Sequence, residues 1–295
     1  MLKEMVNNVV VEGILSEINL KKLEYTKDGE KKKGINGNIK IKVVIPFDGE
    51  NKILEVPVYF FASELTNKGN TNPAYTNLET VIDTGNSIAA VGEDNASAVR
   101  VIGTVRMNEY FTPDGRFINM PRVNASFVNF IKKEEMNMKA QFDAEVYITK
   151  MVMDTDKNGI ETGVLRIYGA NIGYNDYTDV IPIITNNPKY VDAIKATYRE
   201  GDVIKLSAKL DFSNKVIRTY EEVAIGEPIE HTRTVSTNDL YITGIGISNN
   251  AASYSPDDIK TCLTAREKRI NDRKEKANKK PASNGTKVSA ANLGF

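Results

Sequence analysis

From its opening stretch to about residue 247, this chain alternates apolar and polar residues with a period of two. The alternating segments have strand length and are separated by Gly, Pro, Asn and Asp. Such a pattern buries one face of each strand and leaves the other in water, which makes the chain mainly β. "NVVVEGILSEINL" and "GINGNIKIKVVIPF" read as the first two strands. In the second, Ile35, Ile39, Ile41, Val43 and Ile45 share one face, and Asn36, Asn38, Lys40 and Lys42 the other. "KILEVPVYFFA" is a third strand, in which Pro57 marks an edge or a bulge. A loop and a short helix beginning at "NPAYTNLETVIDTG" follow. A hairpin then joins "AVRVIGTVRMNEYF" to "RFINMPRVNASFVNFIKK" through the turn residues "TPDG".

The same order then recurs. "QFDAEVYITKMVMD", "GIETGVLRIYGANIGY" and "DVIPIIT" are three strands, and "NPKYVDAIKATYREG" is a helix. "DVIKLSAKLDFSNKVIRTYEEVAI" is expected to turn at Ser213-Asn214, with "LYITGIGIS" as an added strand. Three strands, a helix and a hairpin, twice over, match two tandem OB-like five-stranded barrels. The expected units are 1–139, the nucleic-acid-binding barrel, 140–250, the second barrel, and 251–295, a basic helix followed by a flexible tail. Ser255, Pro256, Asp257 and Asp258 form a good helix start, whereas the later turns are so polar that fraying is expected.

Little catalytic chemistry is available. The single cysteine, Cys262, has no partner for an intrachain disulfide and reads as a packing residue. The single histidine, His231, has no nucleophile elbow to serve, and the two together cannot make a conventional zinc site. "DTDKNGIE" places Asp154, Asp156, Asn158 and Gly159 as an EF-hand loop would. Leu165 stands where the bidentate glutamate belongs, so a β-hairpin turn is the better reading. There is no phosphate-binding glycine loop and no paired carboxylate couple. No enzyme, cofactor or metal is expected. The absence of a long apolar run leaves no membrane span, and the start lacks a signal-peptide succession.

Net charge is zero, but it is unevenly spread. Between Lys21 and Lys42 eight lysines face three acids, Glu24, Asp28 and Glu30. An OB barrel takes single strands on strands two and three and on its 1–2 and 4–5 loops. The first of these loops supplies Tyr25, Lys31, Lys32 and Lys33. Strands two and three supply Lys40, Lys42, Tyr59 and Phe61, and the loop beyond them Lys68. The hairpin supplies Arg100, Arg106, Tyr110, Phe111, Arg116 and Arg122, with Phe117 a weaker candidate. The second barrel offers Arg166, Tyr168, Arg218 and Tyr220. Lysine and arginine attract phosphates, and aromatic faces stack on bases of any identity. The competing packing reading puts Phe117, Phe127 and one of Phe60 or Phe61 in the barrel interior.

"NNVVVEGILSE", "RVIGTVRMNEYF" and "GDVIKLSAKLDF" resemble the strand signatures of OB-fold single-stranded-DNA-binding proteins, and most of all the phage-encoded kind. The resemblance covers residues 5 to 245. It implies a cytoplasmic protein, in a host cell if viral, that coats single-stranded DNA, or RNA, during replication or recombination. It further implies protein partners recruited through a tail ending at Phe295. Two features depart from the pattern: there is no tryptophan, and "NLGF" lacks an acidic cluster. A viral structural β-sandwich component without nucleic-acid binding is the alternative.

Overall fold

A computed structural model describes residues 2–47, 49–221 and 229–279. The alternating segments are all strands: β1 (Asn7–Lys27), β2 (Glu30–Phe47), β3 (Glu50–Ser63), β4 (Ala98–Phe111), β5 (Phe117–Ile131), β6 (Lys139–Thr155), β7 (Glu161–Ile172), β8 (Thr178–Thr185), β9 (Val203–Glu221) and β10 (Ile229–Ile247). Helices α1 (Pro73–Thr84) and α2 (Ile88–Val91) lie between β3 and β4, α3 (Pro188–Thr197) lies between β8 and β9, and α4 (Pro256–Lys279) follows β10.

Hydrogen bonds order the strands β2-β3-β5-β4-β1-β6-β7-β8-β10-β9. Two further pairings, β1 with β2 and β6 with β9, close five strands at each end into a barrel. Both barrels therefore show the expected OB-like order, with a helix between the third and fourth strands. The barrels are joined edge to edge, because β1 pairs antiparallel with β6 as well as with β4. Val9 lies opposite both Gly103 and Phe142.

Period two is honoured in the first barrel's interior. Ile35, Ile39, Ile41 and Val43 of β2 and Val56 and Val58 of β3 have no exposed surface. Each such side chain contributes about 1.5–3 kcal/mol by leaving water. Pro57 sits opposite Lys40 of β2 and immediately before the short parallel pairing of Val58–Phe60 with Val123–Ala125. Each crossover helix starts alike: the Asn72 side chain accepts from the Ala74 amide and that of Asn187 from the Lys189 amide, with proline next in line. Tyr75, Leu78 and Val81 of α1 and Val191 and Ile194 of α3 are buried.

One expected turn is absent. Ser213 and Asn214 lie within β9, opposite Thr237 and Ser236 of β10, and the two strands stay paired as far as Glu221 opposite Ile229. The stretch has no glycine or proline to break it, and its β-branched and aromatic residues Val216, Ile217, Thr219 and Tyr220 suit a strand. "LYITGIGIS" is thus part of the second barrel's fifth strand, and that barrel has the longer 4–5 hairpin.

The barrels also clasp each other. Lys52 of β3 pairs with Asp211 of β9 at 2.6 Å, and Arg106 of β4 pairs with Asp179 of β8 at 2.7 Å. Asn238 of β10 donates to the Pro121 carbonyl of β5 at 3.2 Å. Phe47 meets Tyr241 edge-on at 4.8 Å between ring centroids.

Helix α4 remains helical to Lys279, and its later turns are anchored rather than frayed. Ile259 and Cys262 pack with Met5, Ile172, Val203 and Tyr254. Further along, Arg266 pairs with Glu109, Arg269 donates to the Thr178 carbonyl at 2.7 Å and Arg273 to the Glu109 carbonyl at 2.6 Å. The contacts recur at helical spacing, with arginines replacing apolar residues on one face. Residues 280–295, including Phe295, lie outside the described residues. Among the described residues no helix is long and apolar enough to cross a membrane.

Candidate nucleic-acid interface

Strand pairing decides which candidate side chains share a surface. On β3, Phe60 points inward and is 2% exposed, whereas Phe61 points outward and is 52% exposed. Tyr59 shares the outer face with Phe61, opposite Asn38 and Asn36 of β2. The Tyr25 ring, beyond Gly34 at the base of the 1–2 hairpin, meets Phe61 edge-on at 5.6 Å. The Arg122 guanidinium lies over the Tyr59 ring at 5.3 Å. An open groove of about 640 Å³ is lined by Tyr59, Phe61 and Arg122 together with Phe127, Ile102, Asn124 and Asn8.

Phe127 and Ile102 lie outside the expected contacts. Strict alternation from Val123 would send Phe127 inward. The β4–β5 register instead slips by one residue between Ile102 and Gly103, so that Ser126 is extra and Val128 takes the interior position. Phe127 is left 44% exposed and Ile102 55% exposed. Gly103 permits the slip, since a Cβ there would lie 2.3 Å from the Asn124 carbonyl oxygen.

The hairpin tip divides its aromatics. Tyr110 lies opposite Ile118 and, by register, on the face that carries Arg106 and Arg122. Phe111 lies opposite Phe117 on the other face, and the two rings pack at 5.0 Å. Tyr110 and Phe111 therefore belong to different surfaces.

Most candidate cations are already paired. Lys40 meets Glu17 at 2.5 Å, Lys42 meets Glu93 at 2.6 Å, and Lys32 meets Glu30 at 3.4 Å. Arg116 meets Asp114 at 2.6 Å across the turn, away from the groove. Arg100 binds Glu12 at 2.6 Å. Burial pushes Glu12 up, but hydrogen bonds from Arg100 and the Asn137 amide outweigh it and hold the carboxyl below its ordinary range. Lys31, Lys33 and Lys68 make no ion pair among the described residues and surround the 1–2 hairpin and the following loop.

The second barrel's candidates are more compensated. Asp154 takes Arg166 in a two-pronged contact at 3.0 and 2.6 Å, and Arg218 pairs with Glu230 at 3.4 Å. Tyr168 is half-buried, and Tyr220 is 62% exposed. The EF-like loop is a turn: Asp156 accepts from the Asn158 and Ile160 amides, and Asp154 is committed to Arg166. Among the described residues no acidic, histidine or cysteine cluster could hold a metal.

The seam between the barrels holds a charged knot. Arg106 and Arg269 both lie against the Tyr177 ring, at 4.2 and 3.8 Å, and Asp179 is almost fully buried beside them. Burial raises the Asp179 pKa, and Arg106 only partly offsets it. The folded protein therefore holds this proton more tightly than the unfolded chain does. Its contribution to stability is full below the ordinary carboxylate pKa of 3.8 and is lost as pH rises through the elevated folded value. Asp179→Asn is expected to flatten that part of the profile in urea midpoints taken from acidic to neutral pH. An unchanged slope would assign the dependence to other groups.

The sequence profile of one protein family, YorF, matches residues 5–276. The chain belongs to the YorF family. No curated protein matches this YorF-family sequence. In fold, the YorF-family chain is similar to the crystal structure of wild-type single-stranded DNA binding protein from Thermus aquaticus. The TM-score is 0.51 at 12% identity, covering 84% of this chain and 95% of that one. A deletion mutant of the Thermus aquaticus protein aligns at a TM-score of 0.49 and 10% identity, covering 86% and 98% of the two chains.

Proposed function

We propose that this YorF-family protein binds single-stranded DNA without sequence preference and coats it during replication or recombination. The observation that carries this reading is the outer groove of the first barrel. Phe61 and Phe127 stand exposed there beside the half-buried Tyr59 and Arg122, and the lysines of the 1–2 hairpin lie at the Tyr25 end. Exposed rings on a rigid sheet have little to gain from water and offer flat faces to any base. Nearby cations hold the phosphates in register. The fold shared with the Thermus aquaticus protein supports the same reading. Duplex DNA keeps its bases stacked internally and cannot use the rings, so single strands are favoured. A phage-encoded, cytoplasmic role without catalysis is consistent with this reading.

The first barrel is proposed as the stronger binder, because the second barrel's arginines are held by Asp154 and Glu230. The longer β9–β10 hairpin removes loop length as a reason.

Titration of fluorescent oligo(dT) and of an equal-length duplex, at several salt concentrations, tests the proposal. If about four phosphates are neutralised, log K against log salt has a slope near −3 for the single strand. Equal affinity for the duplex, or a flat salt response, would reject the reading.

A further inference from the structure

Arg106 and Arg122 are direct cross-strand partners on β4 and β5, an arrangement of like charges that weakens a hairpin unless something compensates it. Arg106 has Asp179. Arg122 lines the aromatic groove; burial chiefly, with Arg106 adding, draws its guanidinium below the ordinary value. Three more guanidiniums arrive from α4: Arg269 on the Tyr177 ring that Arg106 also covers, and Arg266 and Arg273 on Glu109. Five arginines thus gather where the groove meets the second barrel and α4. Two buried carboxylates, Glu109 and Asp179, stand against them. The α4 arginines thus stand beside the end of an open groove.

We infer that α4 is part of the binding surface: the phosphodiester backbone of a single strand leaves the aromatic groove at Arg122, crosses Arg106 and continues along Arg269 and Arg273. The inference rests on the single-strand reading above and adds α4 and the seam to it. A phosphate crossing there passes the cross-strand pair Arg106 and Arg122. It also exploits the guanidinium forks of Arg269 and Arg273, each of which carries five N–H donors, more than one carbonyl contact can use. The helix, which holds the barrels together, then reports directly on the strand's path between them.

The test uses the full chain carrying Arg269→Gln and Arg273→Gln together. Arg266 is left intact, so that Glu109 keeps its partner. With a long oligo(dT), affinity is expected to fall roughly tenfold at low salt, and the salt slope to drop by about 0.7 for each lost phosphate contact. The loss should shrink towards zero at high salt. An oligonucleotide of about four nucleotides, short enough to occupy the aromatic groove alone, should bind the variant as it binds the parent. The Arg269→Lys, Arg273→Lys variant keeps the charge and should recover most of the slope, which a purely structural role would not predict. Melting temperatures on the same preparations identify any loss of fold, and the lysine variant then decides the question. An unchanged slope in the glutamine variant, with Phe61→Ala still weakening binding, overturns the role of α4 and leaves the single-strand reading standing. Absence of oligonucleotide binding by the parent removes both.

Discussion

Replacing Phe61 and Phe127 together by alanine is expected to weaken oligo(dT) binding by about 2–6 kcal/mol, at about 1–3 kcal/mol for each base that loses its ring. Melting temperature should hardly move. The two side chains are about half exposed, so little buried surface is lost when they are truncated. The companion variant, Tyr168→Ala with Tyr220→Ala in the second barrel, should cost clearly less. Affinity and melting temperature measured on one preparation separate the possibilities. A large loss of folding with unchanged affinity per folded molecule would make the phenylalanines packing residues. An equal loss from the second-barrel variant would reverse the assignment of the stronger binder. Tyr110 and Phe111 are best changed separately, since they occupy opposite faces of the hairpin.

Arg266→Ala is expected to destabilise the protein by about 3–5 kcal/mol, the usual penalty for removing one partner of a buried ion pair. Glu109 has no exposed side-chain surface and Arg266 is 13% exposed, so the stranded carboxylate cannot recover by hydration. Replacing both, Arg266→Met with Glu109→Leu, should restore most of the loss, because an apolar pair of similar volume has no charge to desolvate. Lys268→Ala, on the exposed side of α4, is the control and should lie near the parent. Urea midpoints at constant m-value read the differences. A mild Arg266→Ala effect would mean that α4 is held mainly by Ile259, Cys262 and their apolar neighbours.

The barrels are readable in the sequence because alternation is a local signal. Ile35 to Ile45 declare their buried face without reference to any other strand, and Asn72-Pro73 and Asn187-Pro188 announce helix starts. What is not readable depends on pairing partners. The direction of Phe127 turns on one extra residue opposite Gly103, which no window on β5 alone reveals, although a short residue such as Ser126 beside a lone strand glycine is a usable hint. A turn at Ser213-Asn214 suits the local residues and fails because β10 offers partners along the whole of β9. The lysines of β2 do lie on an outer face, but Glu17 and Glu93, which hold them, come from distant segments. The arginines of α4 read as solvated charge because their acidic and aromatic partners lie over 90 residues away.

The β1–β6 seam has an ancestry-like symmetry. Equivalent first strands of the two repeats meet antiparallel, equivalent fifth strands touch through Asn238, and β3 with β9 mirrors β8 with β4. This is the pattern of an isologous contact, in which one patch meets its own counterpart across a two-fold axis. The protein is built as two protomers written into one polypeptide. Covalent fusion releases such an interface from the demand that both sides carry the same residues. The two ion pairs show that freedom in use: at one crossing the base sits on the third strand and the acid on the fourth, and at the other the signs are exchanged. A chain built this way can specialise one half without its twin following.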